Sequence, residues 1–291
     1  MAEGGGAPPS EAMRKGVSRT MLSVVVLVVA IVMFLGGIGV GSVFFTRAPA
    51  PPRTTLIVAV QAPFPPFMDF NTSVDIGFQG FEVDILQRIG TELNRTLVLR
   101  QFSSFTTLLA ETGRGAVDMA SASITITAAR NDTMDFSNPY FRVDQGFLAQ
   151  KSNSFACTNN VCTPQQLADK IIAVQQATTS QDWIEAHVKP LMANPGNQIK
   201  VFQQVEQLIT ALQSGSVDLV MIDSITAKSF ANDPANNLKL AGLVVTNESY
   251  GFAVANGDPQ GLVSVINRVL AKIRSDGTYQ TLITKWFPNG V

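Results

Sequence analysis

Histidine occurs once in this 291-residue chain, cysteine twice, and charged residues make up 15%, leaving a formal net charge of −1. No basic stripe or run offers the phosphate neutralisation that nucleic-acid binding needs, which argues against such a partner. The lone His187, with only Cys157 and Cys162 beside it, cannot complete the three or four ligands of a zinc site, so no structural metal is expected. No G-x-x-x-x-G-K-[ST] phosphate loop occurs. The G-x-G of Gly37 and Gly39 lies inside an apolar run, where it cannot cradle a nucleotide. The chain is therefore no ATPase by itself, and no cofactor is implied.

One long apolar run is present. Met21 to Phe45 carries no charge, is bounded by Arg19 and Arg47, and has only Ser23 and Ser42 as polar interruptions. As a helix it spans roughly 37 Å, enough for a hydrocarbon core of about 30 Å with some tilt. It exceeds the shorter apolar region of a cleavable signal peptide. Ala48-Pro49-Ala50 resembles a cleavage site, but Pro51 follows it directly, and no cysteine stands nearby to accept a lipid. A retained single-pass anchor is the favoured reading, with cleavage as the alternative. Arg14, Lys15 and Arg19 before the run, against Arg47 and Arg53 after it, place the amino terminus in the cytoplasm and the bulk outside. Residues 1–20 read as a disordered cytoplasmic tail, 21–45 as the anchor, and 46–54 as a stiff Pro-rich tether.

The rest of the chain is long enough for two modest lobes. Sequons at Asn71, Asn94, Asn131 and Asn247 suit an exported surface. Cys157 and Cys162 lie five apart in a polar segment, which fits a small disulfide loop in an oxidising compartment, the other reading being two free thiols. Short apolar or β-branched runs at Leu56–Val60, Thr96–Phe102, Val117–Ser123, Ile171–Gln175, Ile199–Gln203 and Val217–Ile222 predict strands. Helical spacing at Gly80–Leu93, Phe105–Thr112, Ser180–Met192 and Val205–Gln213 predicts helices between them. This alternation is that of an α/β fold with largely parallel sheets.

A partial repeat sharpens the picture. Leu108-Leu109 leads to Gly115-Ala116-Val117-Asp118 and then Ser123-Ile124-Thr125. A hundred residues on, Leu208-Ile209 leads to Gly215-Ser216-Val217-Asp218 and then Ser224-Ile225-Thr226. In each copy a polar cluster follows the carboxyl end of an apolar strand, where open α/β sheets place ligand crevices. The bland alternative is a glycine that ends a helix just before a strand.

Arg130 falls in the first turn of a helix capped by Thr127, where the helix dipole disfavours cations and favours anions. It makes sense there if its planar fork joins the free backbone N–H groups in gripping a carboxylate. Locally, pairing with Asp132 or Asp135 is the competing reading. Asp223 ends a buried-strand run and is either the N-cap of the next helix or a partner for an ammonium group. An arginine and an aspartate on opposing lobes are what a zwitterionic α-amino acid demands, because burying either ligand charge unpaired is costly. Phe64, Phe67 and Phe105 stand where aromatics either wall a pocket or fill a core.

Landmarks in order along the chain are Gly80-Phe81-Glu82-Val83-Asp84-Ile85-Leu86, Ser123-Ile124-Thr125-Ile126-Thr127 with Arg130, Asp135-Phe136-Ser137-Asn138-Pro139-Tyr140-Phe141, and Gly277-Thr278-Tyr279 before Lys285-Trp286-Phe287. With these, nearly all of the chain from Leu56 onward resembles the family 3 extracytoplasmic solute-binding proteins, the polar amino-acid binders of ABC importers. The resemblance implies a two-lobed periplasmic-binding-protein-like clamp, here preceded by one transmembrane helix. Residues 55–146 and 249–291 would form lobe 1 and residues 147–248 lobe 2, with crossings near Gln145–Gln150 and Ser249–Ala255. It further implies that Arg130, Thr125 and the Ser123 backbone hold the ligand carboxylate and Asp223 its ammonium. Phe64 and Phe105 would sandwich the ligand, and Thr178 and Thr179 would add carboxylate contacts, though many members carry glycine where Thr179 stands. Gln61 and Gln175 match positions of side-chain selectors; neither is charged, which tilts the ligand away from strongly cationic or anionic amino acids. The partners so implied are permease and ATPase subunits on other chains. Two other readings stand beside this one. An exported cyclohexadienyl dehydratase would use a cleft carboxyl as general acid, with Glu82 and Glu248 as candidates by type. A tethered sensor would report the ligand without transport.

Overall fold

The computed structural model describes residues 53–288 and residue 290. The apolar run Met21–Phe45, the tail before it and most of the tether lie outside the described residues. Among the described residues no helix is long and apolar enough to cross a membrane.

Two five-stranded sheets organise the chain, beside a small two-stranded sheet of β2 (Asp69–Phe70) and β3 (Phe78–Gln79). The first runs in the order β4 (Thr96–Gln101), β1 (Thr55–Val60), β5 (Met119–Ala120), β12 (Ala253–Ala255), β6 (Met134–Phe136). The second runs β11 (Leu238–Tyr250), β7 (Phe141–Gln150), β10 (Leu219–Asp223), β8 (Ile172–Gln175), β9 (Ile199–Phe202). Three neighbours in each are parallel, as βαβ units require, namely β4, β1 and β5 in one and β10, β8 and β9 in the other. The expectation of largely parallel sheets needs correction beyond those three. β12 pairs antiparallel with both β5 and β6, and β7 pairs antiparallel with both β10 and β11, so both sheets are mixed. The cause is the chain path: β7 and β12 each enter their sheet from the other lobe, against the direction of the βαβ strands.

Helices cover the sheets with apolar faces at three- and four-residue spacing. The helix Phe81–Glu92 buries Phe81, Val83, Ile85, Leu86 and Ile89, and the helix Leu262–Ser275 buries Leu262, Ile266, Val269, Leu270 and Ile273. These two helices share one core with Leu56, Val58, Phe67, Tyr140, Phe141, Val143, Tyr250 and Phe252. Phe147, Ala149, Ala241 and Val244 belong instead to a core of the second sheet. The chain therefore passes between lobes within β7 after Val143, and returns within β11 after Val244. The long antiparallel pair β7–β11 is both hinge and sheet. Its pairing is irregular between Val244 and Glu248, where the Asp144 carboxylate accepts the backbone N–H groups of Thr246 and Asn247, each at 2.9 Å.

The internal repeat has a physical basis. The helix Phe105–Gly113 ends with Gly115 at φ 71° and the helix Val205–Gln213 with Gly215 at φ 73°. In both, the two closing bonds of a Schellman turn form: Gly115 N–H to Thr112 O and Ala116 N–H to Glu111 O, then Gly215 N–H to Leu212 O and Ser216 N–H to Ala211 O. The aspartate that follows clasps the start of the neighbouring strand in both directions. Asp118 donates its N–H to Ile57 O at 2.9 Å and accepts Ile57 N–H at 2.8 Å; Asp218 does the same with Ile171, both bonds at 2.8 Å. Gly-x-Val-Asp is therefore a helix stop and a strand clasp, one per lobe, and it aims the following strand end at the space between the lobes. The run Val117–Ser123 yields only the two-residue strand Met119–Ala120, because the chain turns away at Ser123, whose φ is 49°.

Cys157 and Cys162 form a disulfide with Cα atoms 4.8 Å apart, both side chains buried. It lies directly over Gly242: a Cβ there would stand 2.6 Å from Cys157 Cβ and 2.7 Å from each sulfur. Cys157 and Cys162 also donate their N–H groups to Ala241 and Leu243 carbonyls at 2.8 Å, so the bridge staples its loop to β11. Because the closed loop is short, replacing both cysteines with serine is expected to lower unfolding free energy by about 2 kcal/mol. Urea denaturation checks this, and an unchanged midpoint would contradict it.

Candidate functional site

A cavity between the lobes is lined by Gln61, Phe64, Phe105, Ser123, Thr125, Arg130, Gln175, Thr178 and Asp223, nine of the ten binding residues expected from sequence. The topology explains the convergence. Gln61 follows β1, Phe105 opens the helix after β4, Ser123 follows β5, Gln175 is the last residue of β8 and Asp223 the last of β10. All five stand at carboxyl ends of strands, where the two sheets face one another. Thr179 is the exception. Its hydroxyl points to the hinge and donates to Glu248 Oε2 at 2.7 Å.

Arg130 sits in the short helix Ala128–Asn131, with Thr127 as N-cap accepting the Arg130 N–H at 3.2 Å. Its guanidinium donates to Thr125 O at 2.7 Å and, across the cleft, to Ala177 O at 3.0 Å. Neither Asp132 nor Asp135 pairs with it; its charge lies over the Phe105 ring, 5.4 Å from the centroid. Burial lowers its pKa, opposed by the negative charges of Asp223, Asp182 and Glu248. With two bonds made from five N–H donors, Arg130 keeps donors free for an anion.

Asp223 occupies the N-cap position of the helix Ser224–Asn232, yet its side chain makes no capping bond. Instead Oδ1 accepts from Gln145 Nε2 and Oδ2 from the Tyr250 hydroxyl, each at 2.5 Å. Burial raises its pKa to about 7, with the charge of Glu248 adding to the rise and the Tyr250 and Gln145 bonds and Arg130 opposing it. The carboxylate is thus held at the edge of ionisation, a state that an incoming cation completes.

Three further residues form the site beyond the ten expected to bind, and of these the sequence offers Glu248 alone, by type, as a candidate acid. Gln145 is fully buried on β7, and its Nε2 bridges Asp223 Oδ1 and Glu248 Oε1, the latter at 2.9 Å, while Oε1 accepts the Ser180 hydroxyl at 2.7 Å. Glu248 Oε2 joins the lobes by accepting the Thr125 and Thr179 hydroxyls at 2.8 and 2.7 Å. Tyr250 buttresses Asp223 from the returning crossing. A buried amide in an otherwise apolar strand was the available signal for Gln145. Glu248 and Tyr250 become relevant only once the hinge register is known.

Two expected contacts need revision. The Ser123 N–H and hydroxyl both donate to Glu82 Oε1, at 2.9 and 2.7 Å, so Ser123 walls the cleft without a free donor. Thr178 donates its hydroxyl to Gln175 O at 2.7 Å and caps the helix Thr179–Trp183. Glu82 itself is fully buried, accepts also from Ser121 and Tyr140, and its pKa is raised by burial. It braces the Ser121–Ser123 turn and does not line the cleft.

Two α/β lobes on a double-stranded hinge, with a cation from one lobe and a carboxylate from the other in one cleft, define a solute-binding clamp. The chain belongs to the bacterial extracellular solute-binding proteins, family 3, whose family profile matches residues 56–289. It is similar to a probable histidine-binding protein of Neisseria gonorrhoeae, with 29% identity over 82% of this chain and 85% of the relative. The ABC transporter glutamine-binding protein GlnH of Bacillus subtilis (strain 168) is 30% identical, with 72% of each chain covered. A solved structure of an ancestral arginine-binding protein bound to glutamine superposes with a TM-score of 0.70 at 30% identity, covering 81% of this chain and 98% of that one. These relatives are named as binders of single amino acids, and the chain is, by family, an extracellular solute-binding protein.

Proposed function

We propose that the protein encloses a free α-amino acid between its lobes, outside the cytoplasm, and delivers it to a permease and ATPase of an ABC importer. The observation that carries this reading is the opposed pair in one cleft. Arg130 holds spare donors for the α-carboxylate, and Asp223, poised to ionise, receives the α-ammonium. Thr125, whose hydroxyl is taken by Glu248, supports the carboxylate end through the carbonyl that holds Arg130, and Phe64 and Phe105 cover the aliphatic part. Thr178 and Thr179 take part by shaping the second-lobe turn. Each ligand charge then meets its opposite in a partly desolvated site, which offsets the cost of taking both from water.

Calorimetry of the full chain against the twenty amino acids tests this reading. At least one should bind with an affinity in the micromolar range or tighter, and silence across the panel would end it. The same proposal holds the protein at the membrane through residues 21–45. Intact cells treated with protease should lose the binding domain while the tail stays protected. Release of a mature form beginning near Pro51 would defeat the anchor and leave export intact.

A further inference from the structure

Gln61 and Gln175 are both more than nine-tenths buried, at 7% and 6% exposure, and both line the cavity. Gln175 Nε2 donates to Gln203 O at 3.0 Å and to Gln61 Oε1 at 2.8 Å. A backbone carbonyl can only accept, so it fixes which end of the Gln175 amide faces it. Both Gln175 N–H donors are then used, and its Oε1, which receives no bond among the described residues, is left as a pure acceptor toward the cavity. Gln61 is oriented in turn. Its Oε1 accepts from Gln175, and its Nε2 has only a long 3.5 Å contact with Gln203 O, so it retains N–H donor capacity.

From this arrangement we infer that the cleft selects an amino acid whose side chain ends in a primary carboxamide, glutamine or asparagine. The inference rests on the amino-acid reading above. A primary carboxamide carries an acceptor oxygen and an NH2 donor group on a single carbon, matching Gln61 Nε2 and Gln175 Oε1 together. A carboxylate turns a lone pair onto the Gln175 oxygen. A guanidinium turns a donor onto the Gln61 N–H, and its charge has no partner, since among the described residues that line the cavity only Arg130 and Asp223 are ionisable, and both are engaged by the ligand head group. An apolar side chain leaves both amide functions unpaired, and sites built to hydrogen-bond a ligand reject analogues that cannot reciprocate.

The test is calorimetry of the full chain with glutamine, asparagine, glutamate, arginine, histidine and methionine. The better of the two carboxamides should bind at least about tenfold more tightly than each of the other four. Gln175→Leu should cut that preference over methionine to near unity, and Gln175→Glu should move the preference toward arginine. If amino acids bind but arginine, glutamate, histidine or methionine equals or exceeds both carboxamides, the selector inference is overturned while the clamp stands. If none of the twenty binds, both fall. The wild-type ranking decides the matter even where a variant fails to fold.

Discussion

Replacing Arg130 with alanine is expected to weaken amino-acid binding by at least about a hundredfold, because it leaves a carboxylate enclosed without a counter-charge, a loss of about 3 to 5 kcal/mol. The cost falls on binding more than on folding. Arg130 is partly exposed, and its two protein bonds end on the carbonyls of Thr125 and Ala177, beside a cavity that water can enter. The bond to Ala177 crosses between lobes, so removing the arginine also deletes a ligand-free contact of the closed state. Small-angle scattering should accordingly show a more open average shape for the variant without ligand. Arg130→Lys keeps the charge but not the planar fork and should retain an intermediate affinity. Calorimetry with thermal melts separates the effects. If Arg130→Ala bound its amino acid as the wild type does, with an unchanged melting temperature, the carboxylate assignment would be wrong.

How far the sequence discloses this site depends on whether a residue's partner is local. The Thr127 cap and Arg130 in the first turn share one short segment, so the oddity of a cation there is visible without a structure. Gly115 and Gly215 declare helix ends because a Schellman turn is also local. Gln145 and Glu248 are different. Gln145 meets Asp223 through the pairing of β7 with β10, where the two stand opposite, and Glu248 is brought beside Gln145 only by the pairing of β7 with β11, which slips between Val244 and Glu248 in a way no periodicity reveals. The same dependence explains the sheet direction. Each βαβ unit is readable from alternating patterns, but whether a strand enters from its own lobe or from the other is a property of the whole chain path. Ser123 shows a further limit: its position in the cleft was legible, while the claim of Glu82 on its donors was not, since the two lie 41 residues apart and meet in the core.

Binding and folding are expected to respond to pH with opposite signs through Asp223. In the free protein burial raises its pKa from 3.8 to about 7, and Glu248 pushes the same way. The α-ammonium requires the ionised carboxylate, so a ligand bound there lowers the pKa, and below pH 7 each binding event releases a proton. Affinity should therefore be full above about pH 7.5 and fall by roughly 25-fold between pH 7.5 and 5.5, provided the bound-state pKa lies below that range. Calorimetry in buffers of different ionisation enthalpy measures the released proton directly. For the unliganded protein the sign reverses, because a carboxyl whose folded pKa is raised binds its proton more tightly folded than unfolded. Its destabilising contribution, on the order of 4 kcal/mol, is present in full above pH 7 and vanishes as pH falls toward 3.8. Glu82, also raised by burial, acts in the same direction, so the wild-type melting temperature alone does not isolate Asp223. Asp223→Asn does. It keeps an acceptor for the Tyr250 hydroxyl, sets an N–H donor against Gln145 Nε2 at a cost that does not vary with pH, removes the titration, and cannot neutralise the ammonium. This variant should bind about a hundredfold more weakly at pH 7.5, lose most of the pH dependence of binding, and lose less of its melting temperature than the wild type as pH rises from about 5 to 8. A binding profile that stayed as steep in Asp223→Asn as in the wild type would assign the proton to another group and remove Asp223 from the ammonium site.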